Sequence, residues 1–302
     1  MRNPGTHAAT LALAVLTAGP CLAAAVASAA DATSRPTQAP GAVVVSSFDG
    51  SRIHYRISGA GTPVVVLVHG WSCDSGYWDA QVPVLAANHT VVTIDLAGHG
   101  ASEANRGEWS MQAFGRDVAA VVEALPGRPR VVLIGHSMGG PVIAEAALIL
   151  GDRVLGLIGV DTFKAVGLPK PPATETAQRM AQLRADFPAM TRGMVAGMLF
   201  RPDSDPALVR RVADDMASAP PEVGVPSVIA LNEWDGPPVM SRIRAPIVTI
   251  NADLGPPTPE AVIRGFAPGF RAVVVPGSDH FLMMSDPARV NPILEAEIRA
   301  LQ

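Results

Sequence analysis

The chain has 302 residues, 48% hydrophobic and 17% charged, with a net charge of −4 and no basic cluster. Nucleic acid and anionic membrane surfaces are therefore poor partners. Only Cys21 and Cys73 are present, and Cys21 lies in a segment expected to be removed, so a disulfide-stapled scaffold is excluded and stability must come from a buried core.

Residues 1–29 read as a secretory signal peptide. Arg2 precedes the apolar run ATLALAVLTAG, Gly19-Pro20 interrupts it, and small residues end at Ala27-Ser28-Ala29. Cleavage is expected after Ala29 or Ala30, giving a secreted or periplasmic protein with no stable membrane insertion. Residues 30–41 are a polar, proline-bearing tether.

From residue 42 the chain alternates strand and helix patterns. Ala42 to Asp49 and Arg52 to Ser58 form a hairpin at Gly50, followed by strands at VVVLVHG (Val64 to Gly70) and TVVTIDL (Thr90 to Leu96). A helix is expected over Met111 to Leu125, a strand from Arg130, a helix from Gly139 to Leu150, and a strand at LGLIGVD (Leu155 to Asp161). The pattern resumes with APIVTINAD (Ala245 to Asp253), a helix from Pro259, FRAVVVPG (Phe270 to Gly277), and a closing helix from Asp286, with Pro287 at its first position. Near-continuous Val/Ile runs alternating with helices predict an α/β fold, a mostly parallel sheet covered on both faces.

The stretch between these halves differs in kind. Residues 163–240 are rich in Pro and Met, lack strong strands, and carry helical patterns such as Glu175 to Phe187 and Pro206 to Ala217. Placed where core strands end, such an insertion would cap the active site, dividing the chain into a core of 42–162 and 241–302 and a helical cap of 163–240. Met190, Met194 and Met198 recur at helical spacing, either as packing or as an adaptable apolar wall of a substrate pocket.

The segment VVLIGHSMGG (Val131 to Gly140) carries the chemistry. A strand that turns into a helix within a residue or two forces Ser137 into a strained conformation, and side chains at Gly135 and Gly139 would collide with neighbouring backbone. The turn lifts Oγ from the sheet edge. It also puts the Met138 amide at the first turn of a helix, where unpaired N–H groups favour a developing negative charge.

HGW at His69 to Trp71, DLAGHGAS at Asp95 to Ser102, GHSMGG at Gly135 to Gly140 and GSDHFLMMSDP at Gly277 to Pro287 occur in that order. By these motifs the chain resembles the α/β-hydrolase fold superfamily, in the branch of capped, esterase-like serine hydrolases, from about Val43 to the C-terminus. The resemblance implies a Ser-Asp-His triad in that chain order, with Ser137 as nucleophile and His280 as base. Asp253, at the end of its strand, is the leading acid. Asn251-Ala252 replace the glycine usual before that acid, however, and Asp161 at the end of the preceding strand stays open as the alternative.

The second oxyanion donor implied by the resemblance is the Trp71 amide, with Met138 as the first, and His99 is implied in a structural network with Asp95. His136 is expected to point away across the elbow. Cys73 reads as a small apolar loop residue rather than a second nucleophile. Met190, Met194 and Phe281 are candidate substrate contacts.

The expected activity is hydrolysis of a small to medium, mainly apolar ester through an acyl-enzyme, with no cofactor and no metal. A lactonase, a C–C bond hydrolase, a cofactor-free haloperoxidase-like perhydrolase, or a non-catalytic ligand-binding protein of the same fold remain alternatives, because the motifs do not separate them. Epoxide and haloalkane chemistry on this fold use a carboxylate nucleophile, which Ser137 argues against. Oligomeric state is not legible.

Overall fold

The Val/Ile runs form the middle of one eight-stranded sheet because only a strand covered on both faces can bury every side chain. The computed structural model describes residues 42–302, so the expected signal peptide and tether lie outside the described residues. The strands are β1 (Ala42–Ser46), β2 (Arg52–Ser58), β3 (Val64–Val68), β4 (Thr90–Ile94), β5 (Val131–His136), β6 (Val154–Val160), β7 (Ile247–Ala252) and β8 (Arg271–Val275), in the spatial order β1-β2-β4-β3-β5-β6-β7-β8. The β1–β2 and β2–β4 pairs are antiparallel, and every other pair is parallel. Every residue of β3, β5 and β7 is buried, whereas edge strand β8 keeps Val274 exposed.

Helices cover the sheet. In chain order these are α1 (Val82–Leu85), α2 (Met111–Ala124), α3 (Gly139–Leu150), α4 (Ala173–Ala185), α5 (Phe187–Met194), α6 (Pro206–Ala217), α7 (Pro221–Glu233), α8 (Gly236–Met240), α9 (Glu260–Arg264), α10 (Leu282–Ser285) and α11 (Pro287–Ala300). Their boundaries follow local chemistry. The Ser110 side chain accepts from the Ala113 amide to start α2, and Asp286 accepts from Arg289 ahead of Pro287 to start α11. Among the described residues no helix is long and apolar enough to cross a membrane.

Helices α4 to α8 all fall between β6 and β7. Side chains and backbone tie them to loops at the carboxyl ends of the parallel strands. The Trp71 indole N–H donates to the Gly224 carbonyl at 2.7 Å, the Tyr77 hydroxyl to Asp215 at 2.7 Å, and the His280 amide to the Leu199 carbonyl at 3.0 Å. After α5 the chain widens into a π-turn over Val195–Leu199. The wider turn breaks the four-residue repeat, so Met190, Met194 and Met198 do not share one continuous face: Met194 packs against the core, and Met198 is 66% exposed.

Two glycines fix the β5–α3 junction. A Cβ on Gly139 would lie 2.6 Å from the Val68 carbonyl oxygen, and one on Gly135 would run into the Gly139 carbonyl. Both contacts are with backbone that cannot rotate away. Gly139→Ala is therefore expected to lower stability by about 3 kcal/mol or more, whereas Gly269→Ala, with open space around its Cβ, changes it by about 0.5 kcal/mol or less. Urea midpoints of the two variants check the contrast.

Candidate active site

In a parallel sheet the carboxyl ends of the strands lie along one edge, so residues far apart in sequence meet there. Ser137 follows β5 with φ at +52°, in the left-handed region that L-residues seldom occupy. The strain is held from several sides. Its amide donates to the Val160 carbonyl at 3.0 Å, and its carbonyl accepts from the Gly140 amide at 3.0 Å and the Thr162 hydroxyl at 2.7 Å. Val160 and Thr162 flank Asp161, so the elbow and the turn after β6 brace one another.

The expected acid is corrected by the geometry. His280 Nδ1 stands 2.6 Å from Asp161 Oδ2, not beside Asp253. Asp253 Oδ1 instead accepts from the Gly277 amide at 2.9 Å and from Arg201 Nη1 at 3.2 Å, on a side chain 39% exposed. The physical reason lies in the two turns. Asp161 has φ at +43° and Phe163 +61°, which swings the Asp161 carboxylate inward. Asn251, where a glycine was missed, locks that turn: its Oδ1 accepts from the Thr162 amide at 3.1 Å, and its Nδ2 donates to the Thr162 carbonyl at 3.0 Å and to Thr258 Oγ1 at 2.7 Å.

Asp161 is buried, and burial is the largest single influence on its ionisation, acting against the charge. The hydrogen bond and charge of His280 and the charge of Lys164 together outweigh it, holding the carboxyl below the usual carboxylate range. Its Oδ1 accepts from the Ala252 amide at 2.8 Å and pairs with Lys164 Nζ at 2.7 Å. A carboxylate so fixed sets the orientation of the imidazole, with Nδ1 as the donor and Nε2 left without a protein partner among the described residues.

Two further histidines support the site without entering it. The Leu96 amide can only donate, so its 3.0 Å contact with His69 Nε2 puts the proton on Nδ1, which donates to the Gly70 carbonyl at 2.8 Å. That ring pins the loop carrying Trp71 to the end of β4. His136 does not simply point away: its Nε2 donates to the His280 carbonyl at 2.9 Å, and the two rings are 4.7 Å apart. His99 donates to the Ala97 carbonyl rather than to Asp95, whose oxygens accept from the Ser75 and Ala101 amides. Asp279 is occupied by Ser204, Ser285 and the Phe281 amide.

The amides of Trp71 and Met138 have no acceptor among the described residues. Their side chains are turned inward. Trp71 meets the Phe187 ring edge-on at 5.7 Å, and Met138 is fully buried. Cys73 is buried, and burial pushes its thiol well above the ordinary range, so it is no competing nucleophile.

Ser137, Asp161 and His280 line one cavity of about 710 Å³, together with Phe163, Lys164, Val166, Leu168, Met198 and Leu231. None of the expected substrate contacts Met190, Met194 and Phe281 does so. Met190 lies outside at 36% exposure, and Phe281 is sealed between Tyr77, Phe200, His136 and His280. The chain's two lysines, Lys164 and Lys170, both line this cavity, a signal that was present in the sequence. No group of three or more potential metal ligands occurs among the described residues.

A family model described as the alpha/beta hydrolase family matches residues 65–293. The chain belongs to the alpha/beta hydrolase family. Its relatives include an uncharacterised protein of Mycobacterium tuberculosis, 28% identical over 281 residues, covering 85% of this chain and 81% of the relative. The pimeloyl-[acyl-carrier protein] methyl ester esterase of Edwardsiella ictaluri is 27% identical over 251 residues, covering 78% and 93%. Among solved structures, a thermophilic esterase from Thermogutta terrifontis superposes with a TM-score of 0.75 at 24% identity, over 86% of this chain and 98% of that one. This alpha/beta hydrolase is thus a hydrolase with esterase-like relatives.

Burial sets its response to acid. It holds the imidazole of His136, helped by the charge of His280, and that of His99, helped by the charge of His69, down at about 3. The unfolded value is about 6.5, so between about 6.5 and about 3 the unfolded chain binds the extra protons and stability falls as pH falls. Thermal midpoints should decline through that window, less steeply for His136→Gln. A flat profile in the wild type would contradict the assignment.

Proposed function

We propose that this hydrolase cleaves esters by acyl transfer, with Ser137 as nucleophile, His280 as base and Asp161 as the orienting acid. The observation that carries the reading is the 2.6 Å contact between Asp161 and His280 in the cavity that also presents the strained Ser137. Ser137 Oγ attacks the ester carbonyl carbon while His280 Nε2 takes its proton. The oxyanion that forms is stabilised by the Met138 and Trp71 amides, which are without other acceptors among the described residues. Collapse breaks the bond to the alcohol, which leaves with the proton from His280. Water then repeats the sequence on the acyl-enzyme and frees the acid.

The cavity supports a small to medium, mainly apolar acyl group. Val166, Leu168, Met198 and Leu231 supply its apolar wall from the insertion, which serves as a cap over the site. Lys170 Nζ donates to the Glu233 carbonyl at 2.9 Å, and Asp235 stands in the same lining. The N-terminal pattern over 1–29 supports export, and N-terminal sequencing of the mature chain is expected to begin just after Ala29 or Ala30.

Ser137→Ala is expected to lower turnover of p-nitrophenyl esters by roughly 10⁴- to 10⁶-fold without loss of fold, and to abolish fluorophosphonate labelling. Labelling of another serine would refute the assignment, and labelling without turnover of any ester would point to a lactone or a C–C bond. No labelling at all would favour a binding protein.

Asp161→Asn should cost about 10⁴-fold in turnover, while Asp253→Asn stays within a few-fold. The reverse ranking would return the acid to the end of β7. Across acyl lengths, kcat/KM should peak at short or intermediate chains with no jump on passing to an emulsion.

A further inference from the structure

The triad acid carries a partner that the acyl-transfer reading does not use. Lys164 sits three residues after Asp161, with its ammonium 2.7 Å from Asp161 Oδ1, 2.9 Å from the Ala252 carbonyl and 2.8 Å from the Leu254 carbonyl. An ammonium has three N–H donors, and all three are taken. The side chain is 14% exposed and lines the cavity, yet it has no donor left for a substrate anion. Its geometry is directed at Asp161 and at the end of β7.

We propose that Lys164 is a positioning residue acting through Asp161: it locks the carboxylate in place and partly offsets its charge, and so tunes the hold of Asp161 on His280. The inference rests on the acyl-transfer reading for its catalytic meaning. An aspartate facing His280 favours the imidazolium, and a cation on the far oxygen of that aspartate weakens the preference.

The other charged or titratable groups around His280 do not replace this effect. His136, at the end of β5, is buried and neutral, and spends Nε2 on the His280 carbonyl. Asp279, on the same loop as His280, is engaged by Ser204, Ser285 and the Phe281 amide. Asp253, after β7, is engaged by Gly277 and by Arg201 of the insertion. Lys164 is the cation that touches the carboxylate bound to His280.

The pair also accounts for an acid placed after β6. The turn that carries Asp161 depends on left-handed backbone at two residues, and Lys164 bridges it to two carbonyls at the end of β7. Orientation and charge balance come from one side chain.

The test is the pH dependence of kcat/KM for wild type, Lys164→Met and Lys164→Arg on a p-nitrophenyl ester. In Lys164→Met the acid limb should move to higher pH, so that its loss relative to wild type is about tenfold greater on the acid side than on the alkaline plateau. Lys164→Arg, which keeps the cation, should return the limb toward wild type. An equal loss at every pH, or an arginine variant that behaves as the methionine variant does, would overturn the proposal.

A second measurement leaves Lys164 in place. With only two lysines in the chain, ¹⁵Nζ-lysine labelling gives two side-chain signals, and that of Lys164 should inflect at the pH of the acid limb of kcat/KM. Absence of that inflection with normal ester turnover counts against the role of Lys164 alone. Its presence without turnover of any ester supports the coupling and counts against the functional reading alone.

Discussion

A buried carboxylate is tolerated only where charge and hydrogen bonds replace the water it has lost, and the Asp161 carboxylate meets that condition with His280, Lys164 and the Ala252 amide. The arrangement around it follows from that requirement. The turn after β6 takes up left-handed backbone to aim the side chain inward, Asn251 holds the turn from β7, and Thr162 reaches across to the carbonyl of Ser137. Ser137, Asp161 and the ends of three strands are one hydrogen-bonded unit.

His280 is held differently. His280 stands on the loop after β8, and its main chain is bonded on both sides: the amide to Leu199 of the insertion, the carbonyl to His136 at the end of β5. A loop histidine with both backbone groups fixed loses little further freedom when its ring acts. The π-turn that supplies Leu199 is the irregular piece of the insertion, and its carbonyl is directed to the His280 amide.

The insertion is coupled to the loop that carries Trp71 as well. The Trp71 ring is tied to Gly224 and packed on Phe187, while His69 ties the start of the same loop to β4. The loop amides are thereby positioned from both the sheet and the helices above it. The large apolar side chains of Trp71, Met138 and Phe281 serve as the packing behind the site. The apolar cavity wall comes from Phe163, Val166, Leu168, Met198 and Trp234.

The sequence by itself determined the sheet, because continuous Val/Ile runs are stable only when covered on both faces, and it determined the elbow, because a strand-to-helix turn with glycines at 135 and 139 has no room for side chains. It also marked His280, by motif order, and a helical stretch between β6 and β7. Which aspartate meets His280 was beyond it. Asp161 and Asp253 both end core strands, and which one reaches His280 depends on the backbone angle of each turn and on Asn251 across the sheet, neither of which leaves a local pattern. The same holds for Met190, Met194 and Phe281, whose spacing and motif could not tell a cavity wall from packing, and for Lys164, whose three acceptors come together only once β6 and β7 are side by side. Periodicity records which side of an element is apolar, and tertiary structure alone decides what stands against it.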